Sequence, residues 1–285
     1  MVRHHSTQFA HYAATVMNPV ASVVASRELL WSLTQRELRT KYRRSFLGWT
    51  WSMLNPLANV AIYGFVFGVL LGGSAPIGAP SGLENFALYL LCGLLPWGFF
   101  SLVNSMGMSA MSANSGLVRR VAFPREVLVF ANVAHAVVQF VIELTLLSIV
   151  LLIAGNMVLP WLAPLLVLLA LLAVFSAGFA LALSALSVYF RDLSHLWTIV
   201  MQVWFFITPI VYSPDLIESE LPKWMQYPMR INPMHQFVQA FRSLLYDNTW
   251  PGPGRSVVLL STAGTSITLG WLVFSRLGRR LPEEV

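Results

Sequence analysis

Charge is the scarcest thing in this sequence. Asp, Glu, Lys and Arg make up 11% of its 285 residues, while 56% are hydrophobic. Ordinary folded domains carry about 25% charged residues. A chain this apolar lacks the polar surface to cover itself in water, which excludes a water-soluble globular enzyme, a disordered regulator and a conventional nucleic-acid-binding domain. Cysteine is nearly absent too. Cys92 stands alone, so no internal disulfide can form, and no Cys/His spacing resembles a zinc site. The six histidines are scattered, apart from His4 and His5, and point to no metal. Missing as well are a G-x-x-x-x-G-K-S/T phosphate loop, an H-E-x-x-H pair and a G-x-S-x-G nucleophile elbow. No acidic cluster could hold a metal and a nucleotide sugar. The expectation is a non-catalytic chain that binds no cofactor of its own. If ATP powers it, another polypeptide hydrolyses that ATP.

What is present is a set of long charge-free runs. Nothing charged lies between Arg44 and Glu84, between Glu84 and Arg119, or between Glu143 and Arg191. About 20 apolar residues cross a bilayer as a helix. Six spans are predicted, at about 53–71, 86–110, 128–154, 162–190, 195–212 and 257–274. The turn-rich GGSAPIGAPSG, Gly72 to Gly82, separates the first two. The net charge of +6 then reads as loop cations rather than a nucleic-acid footprint. With the N-terminus inside, 14 Lys and Arg fall on inner segments, and only Lys223, Arg230, Arg242 and Arg255 fall outside. That bias predicts a multi-pass membrane protein with both termini cytoplasmic. Residues 1–26 lack a continuous apolar core, so no signal peptide is expected.

Two segments do not read as spans. Val20 to Tyr42 alternates apolar residues at helical spacing with Arg27, Arg36, Arg39 and Lys41, the pattern of a helix lying in the membrane interface or of a basic juxtamembrane stretch. Between spans five and six, Pro214, Pro222, Pro228 and Pro233 punctuate the chain, and apolar residues fall at 234, 237, 238, 241, 244 and 245. Twelve helical residues reach only about 18 Å. The pattern fits short re-entrant helices or an outer cap equally well.

Few side chains stand out as functional. Asn132, His135, Gln139 and Glu143 share one face of span three, and Glu143 is the one deep ionisable group. It reads either as a functional carboxyl or as a hydrogen-bonding group between helices. Span four carries Ala173, Ala177, Ala180, Ser184 and Ser187, a stripe that lets helices approach closely. Asn55, Asn59, Tyr63 and Phe67 recur every four residues on span one. On span five Trp197, Trp204 and Thr208 share a face, with Phe205, Phe206 and Tyr212 nearby. Such faces suit either helix packing and interfacial belts or the stacking of sugar rings.

Five motifs, in order, carry a resemblance: RELRTKYRRSFLGWTWSMLNP (36–56), VRRVAFPRE (118–126), YFRDLSHL (189–196), WFFITPIVY (204–212) and INPMHQF (231–237). Together they resemble the permease subunits of ABC-2-type polysaccharide exporters, those of O-antigen, teichoic-acid and cell-wall galactan type. The likeness runs from about Leu29 to Arg276. It implies an all-α polytopic membrane protein: six transmembrane helices, an N-terminal interfacial helix and two short re-entrant gate helices between helices 5 and 6. Residues 1–19 become a cytoplasmic extension, 20–44 the interfacial helix, 45–275 the transmembrane domain and 276–285 a cytoplasmic tail. Within the domain, 115–126 becomes the coupling loop and 214–248 the gate helices.

The resemblance also implies roles. Gly116, Arg119, Arg120, Val121, Phe123, Arg191 and Asp192 would meet the ATPase. Asn55, Asn59, Tyr63, Phe67, Trp197, Trp204, Phe205 and Tyr212 would line a channel. Trp224, Tyr227, Met234, Phe237 and Phe241 would form the gate, and His135, Gln139 and Glu143 remain the intramembrane polar set. The implied partners are a second copy, two ATP-binding cassette subunits that hold ATP and Mg, membrane lipids and a lipid-linked polysaccharide, a cell-wall galactan among the candidates. Nucleic acid is not among them. Helices pack 8–10 Å apart, so one six-helix bundle leaves no hole for a sugar chain, whereas a dimer encloses one. The alternatives are an ABC-2 permease for drugs or lipids, an intramembrane enzyme acting on polyprenyl-linked sugars, and a proton-coupled carrier.

Overall fold

The computed structural model describes residues 26–41, 54, 57–58, 61–62, 64–70, 76–121, 123–212, 222, 227, 229 and 231–278. Among them the regular structure is helical throughout. In chain order come α1 (Arg27–Lys41), a π-helical segment (Gly64–Leu70), α2 (Phe86–Ala113), α3 (Ser115–Arg120), α4 (Glu126–Ile153), α5 (Leu162–Tyr189), α6 (Leu193–Ile207), α7 (Pro233–Arg242) and α8 (Pro253–Leu277). A second π-helical turn, Ser243–Asp247, follows α7 directly.

Four of these helices, α2, α4, α5 and α8, are long and apolar enough to cross a membrane. α2 and α5 lie within charge-free runs, α4 carries Glu143 along its length, and α8 keeps Arg255 and Arg276 near its ends; a helix satisfies every backbone group internally, which lipid demands. The fifth expected span is shorter than its apolar run. α6 has 15 residues and stops at Ile207, since Pro209 has no N–H to continue the ladder. Of the first expected span, Gly64–Leu70 takes π-helical form and lies beside the start of α2. The open groove between them is lined by Ala61, Phe65, Val69, Asn85 and Phe86.

Helix ends are set by local chemistry. Asn85 caps α2, its side chain accepting a 3.1 Å hydrogen bond from the Leu88 amide. Asn232 caps α7 by accepting from the Met234 amide at 3.0 Å, with Pro233 in the first helical position.

The bundle closes through small residues. Gly178 of α5 and Gly270 of α8 meet where a Cβ on either would overlap the other helix's backbone. There Ser266 of α8 donates 2.7 Å to the Phe175 carbonyl of α5. Gly107 of α2 abuts Ala180 of α5, so α5 is gripped from two sides. Ala177, Ala180 and Ser184 of the predicted stripe are buried. Aromatic rings fill the middle: Phe100 stacks on Phe175 with centroids 5.4 Å apart, and Phe237 of α7 meets Phe175 at 5.2 Å.

The alternating directions of the helices give the bundle two ends. One gathers α3, the Phe190–Asp192 turn and the last residues of α8. The other gathers α7, residues 76–85 and the loop before α5.

Candidate functional site

At the α3 end, a six-residue helix hangs on a short bridge. Asn114 joins α2 to α3. Its Nδ2 donates to the Ala110 carbonyl at 2.9 Å, and its Oδ1 accepts from Arg36 of α1 at 2.5 Å. Asn114 thus ties the start of α3 to both α1 and the 28-residue α2. α1 in turn is seated on α4, with Leu33 and Thr34 buried. Gly116, Arg119, Arg120 and Val121 are exposed, Val121 by 50%. Phe123 behaves differently from its expected role at a partner surface. Its ring is buried in this chain's own core, where it anchors the loop. Arg191 and Asp192 are exposed in the turn between α5 and α6. The end of α8 is fastened here as well, because Arg125 donates to the Gly278 carbonyl and Tyr189 to that of Leu277, at 2.5 and 3.0 Å.

The predicted lining residues of α6 sit on a floor of rings. Trp204 lies 5.2 Å from Phe100, 5.7 Å from Phe179 and 6.3 Å from Trp97; Phe205 lies 5.6 Å from Trp97; and Trp197 lies 6.1 Å from Phe179. All are edge or tilted contacts of the kind aromatic rings favour. Tyr212, half-buried, donates to the Phe206 carbonyl. On the other face of α6, Leu196, Ile199, Val200, Val203 and Phe206 are exposed. Asn55, Asn59, Tyr63 and Trp224 lie outside the described residues, as does the side chain of Phe67.

At the α7 end the structure joins two of the sequence motifs. Trp204 Nε1 donates to Asn232 Oδ1 at 2.7 Å, and Asn232 Nδ2 donates to Thr208 Oγ1 at 2.8 Å. The other end of α7 is held by Arg242, whose guanidinium donates to the Pro209 and Ile210 carbonyls at 2.7 and 2.5 Å. It also lies 3.8 Å over the Tyr89 ring. The guanidinium is accommodated by Gly93, where a Cβ would sit 2.9 Å from Nη2. Arg242 is 1% exposed, so the cation counted among outer loop charges is wholly internal.

The turn after α7 is clasped in turn. Tyr246 donates to the Pro76 carbonyl at 3.0 Å, and Asn156 donates to the Leu245 carbonyl at 2.8 Å and accepts from Asn248. Burial pushes the nearby Asp247 carboxyl up to about 6, against the pull of Arg242, an Ala79 backbone hydrogen bond and Arg255.

Of the residues predicted to gate, Met234, Phe237 and Phe241 are fully buried in the bundle and Tyr227 is 66% exposed. The polar set of α4 is internal: His135 and Glu143 are buried, and Gln139 donates to Glu143 at 2.8 Å. Asn132 donates to the Met106 carbonyl of α2 at 2.9 Å. Sequence reasoning passed over Asn232 and Arg242 as individual residues. For Asn232 the signal existed, since INPMHQF and WFFITPIVY had each been singled out. Arg242 leaves no such trace, because its acceptors are backbone carbonyls and a ring.

The profile of one family, ABC-2 type transporter, matches residues 28–246. O-antigen export system permease protein RfbA of Myxococcus xanthus is 33% identical over 260 residues, covering 90% of this chain and 94% of that protein. The Klebsiella pneumoniae protein of the same name is 26% identical over 260 residues, with the same coverage. Polysialic acid transport protein KpsM of Escherichia coli is 24% identical over 221 residues, covering 74% of this chain and 78% of that protein.

Proposed function

This chain belongs to the ABC-2 type transporter family, and from that premise we infer that it is the permease subunit of an ATP-driven exporter that carries a polysaccharide across the cytoplasmic membrane. The similarity to export permeases over 90% of the chain carries this reading. The chain is a membrane subunit without catalytic work of its own, and ATP hydrolysis belongs to a separate subunit.

In the finer reading two copies pair, with two ATPase subunits beneath them, and the α3 end faces the cytoplasm with both termini. The positive-inside bias supports that orientation. Arg119, Arg120 and Val121 then present an exposed knob to the ATPase. Asn114 passes its displacement to α1 and α2, and the Arg191–Asp192 turn lies on the same side. The segments at about 53–71 and 195–212 complete six spans. The segment 214–248 forms the re-entrant gate, and Asn55, Asn59, Tyr63, Phe67 and the α6 aromatics line a path for a lipid-linked glycan. Rings stack on sugar faces without deep hydrogen-bonding wells, so a chain of sugars can pass step by step.

Depletion of the protein in its host, followed by mass spectrometry of polyprenyl-linked glycans, tests this. Full-length lipid-linked polymer is expected to accumulate inside the cell and thereby identify the substrate. Accumulation of short precursors alone, or an unchanged glycan profile, would overturn the export reading.

A further inference from the structure

The groove beside the start of α2 has no part in the exporter reading. It measures about 540 Å³, the size of a small-molecule site. One wall is an apolar row in which Ala61, Phe65 and Val69 fall every four residues, and Leu57 continues the row. Leu57, Phe65 and Val69 are 52, 56 and 69% exposed. The facing wall is Phe86 and Ala87 in the first turn of α2. Two residues are about 200° around a helix. By spacing, therefore, this row looks away from positions 55, 59, 63 and 67, which were assigned to the glycan path.

The rim of the groove is polar and held in place. Glu84 and Asn85 stand there, at the α7 end of the bundle. Tyr246 fixes their backbone, its hydroxyl accepting from the Asn85 amide at 3.1 Å and donating to the Pro76 carbonyl at 3.0 Å. The Asn85 cap on Leu88 uses Oδ1, and no described residue accepts from Asn85 Nδ2. Glu84 is exposed, and no Lys, Arg or His among the described residues pairs with its carboxylate. A carboxylate and an unused amide group at the head of an apolar trough suit one shape of molecule: apolar along its length, anionic below the head and cationic at the tip.

We propose that this groove is a phospholipid site selective for a headgroup ending in a primary ammonium. An acyl chain lies along Ala61, Phe65 and Val69, the ammonium donates to the Glu84 carboxylate, and Asn85 Nδ2 donates to the phosphodiester. Hydrogen bonds between charged groups are about twice as strong as neutral ones. The same carboxylate repels lipids whose heads are purely anionic, so the charge excludes a polyprenyl phosphate as the occupant. The site goes beyond the exporter reading and does not depend on it.

The full chain with Cys92→Ala, in phosphatidylcholine vesicles, provides the test. A bimane fluorophore is placed on Val69→Cys at the groove or on Ile149→Cys on the exposed face of α4. Phosphatidylethanolamine or phosphatidylglycerol bearing a doxyl quencher on its acyl chain is then titrated into the host lipid. At Val69→Cys, phosphatidylethanolamine is expected to be favoured about tenfold over phosphatidylglycerol. At Ile149→Cys the two lipids should quench alike. Glu84→Gln, which removes the charge, and Ala61→Phe, which fills the trough, should each abolish the preference at the groove. Equal quenching at Val69→Cys, the same preference at Ile149→Cys, or a preference that survives either substitution overturns the proposal. So does relief of the quenching by added polyprenyl phosphate, which would give the groove to a carrier lipid instead. These readouts involve no transport, so the lipid site stands or falls apart from the exporter reading, which the glycan profile tests.

Discussion

α5 and α6 are consecutive, both strongly apolar, and separated by a three-residue turn, yet one is sunk in the bundle and the other lies on its face. α5 buries thirteen of its residues and α6 buries one. The difference is side-chain size. α5 carries Gly178, Ala177, Ala180 and Ala185 where its neighbours press in, whereas α6 has no glycine or alanine at all. Lipid tails are as apolar as leucine, so hydropathy gives no preference for protein over lipid. Close backbone approach and interhelical hydrogen bonds decide the matter instead. α5 packs by close backbone approach, and α6 by rings laid on Trp97, Phe100 and Phe179.

The contrast can be broken most severely at the α5–α8 crossing. Gly178→Leu or Gly270→Leu puts a side chain into the facing backbone, so no monodisperse protein is expected on size-exclusion chromatography after detergent extraction. Ser194→Leu on the exposed start of α6 should leave the peak intact.

A milder comparison truncates one apolar side chain on each helix. Leu181→Ala on α5, at a fully buried position, should cost about 2–4 kcal/mol. Ile199→Ala on α6, 60% exposed, should change stability by no more than about 0.5 kcal/mol. Reversible unfolding in mixed micelles measures both, and equal losses would mean that α6 is packed as firmly as α5. A similarly small effect belongs to Ser266→Ala, which deletes the bond to the Phe175 carbonyl. Interhelical hydrogen bonds of this kind average about 0.6 kcal/mol, and the same unfolding assay should return a loss of that order. A loss several times larger would assign the α5–α8 grip to hydrogen bonding rather than to the glycine contact.

The spans were legible because charge is excluded from lipid. The runs at 86–110, 128–154, 162–190 and 257–274 reappear as Phe86–Ala113, Glu126–Ile153, Leu162–Tyr189 and Pro253–Leu277. Hydropathy carried the fifth run on to Tyr212, past the true helix end, because TPIVY is apolar and its break is made by backbone chemistry at Pro209. In α7 the apolar period was legible. Met234, Phe237 and Phe241 face the bundle core, which periodicity cannot distinguish from a channel face. Gly178 escaped notice for a related reason: within a run of small residues, nothing local marks which one meets a partner backbone. The side chains expected along residues 55–63 and at Trp224 lie outside the described residues.

The buried guanidinium of Arg242 also bears on how the protein is made. The chain is made from its N-terminus, and a buried arginine left without its partners costs about 3–5 kcal/mol. Tyr89, Pro209 and Ile210 all precede Arg242 in the chain. Each acceptor has therefore left the ribosome before the donor that needs it, and the α7 end can settle only after α2 and α6 are in place. Synthesis order thus guards the chain against burying a lone cation.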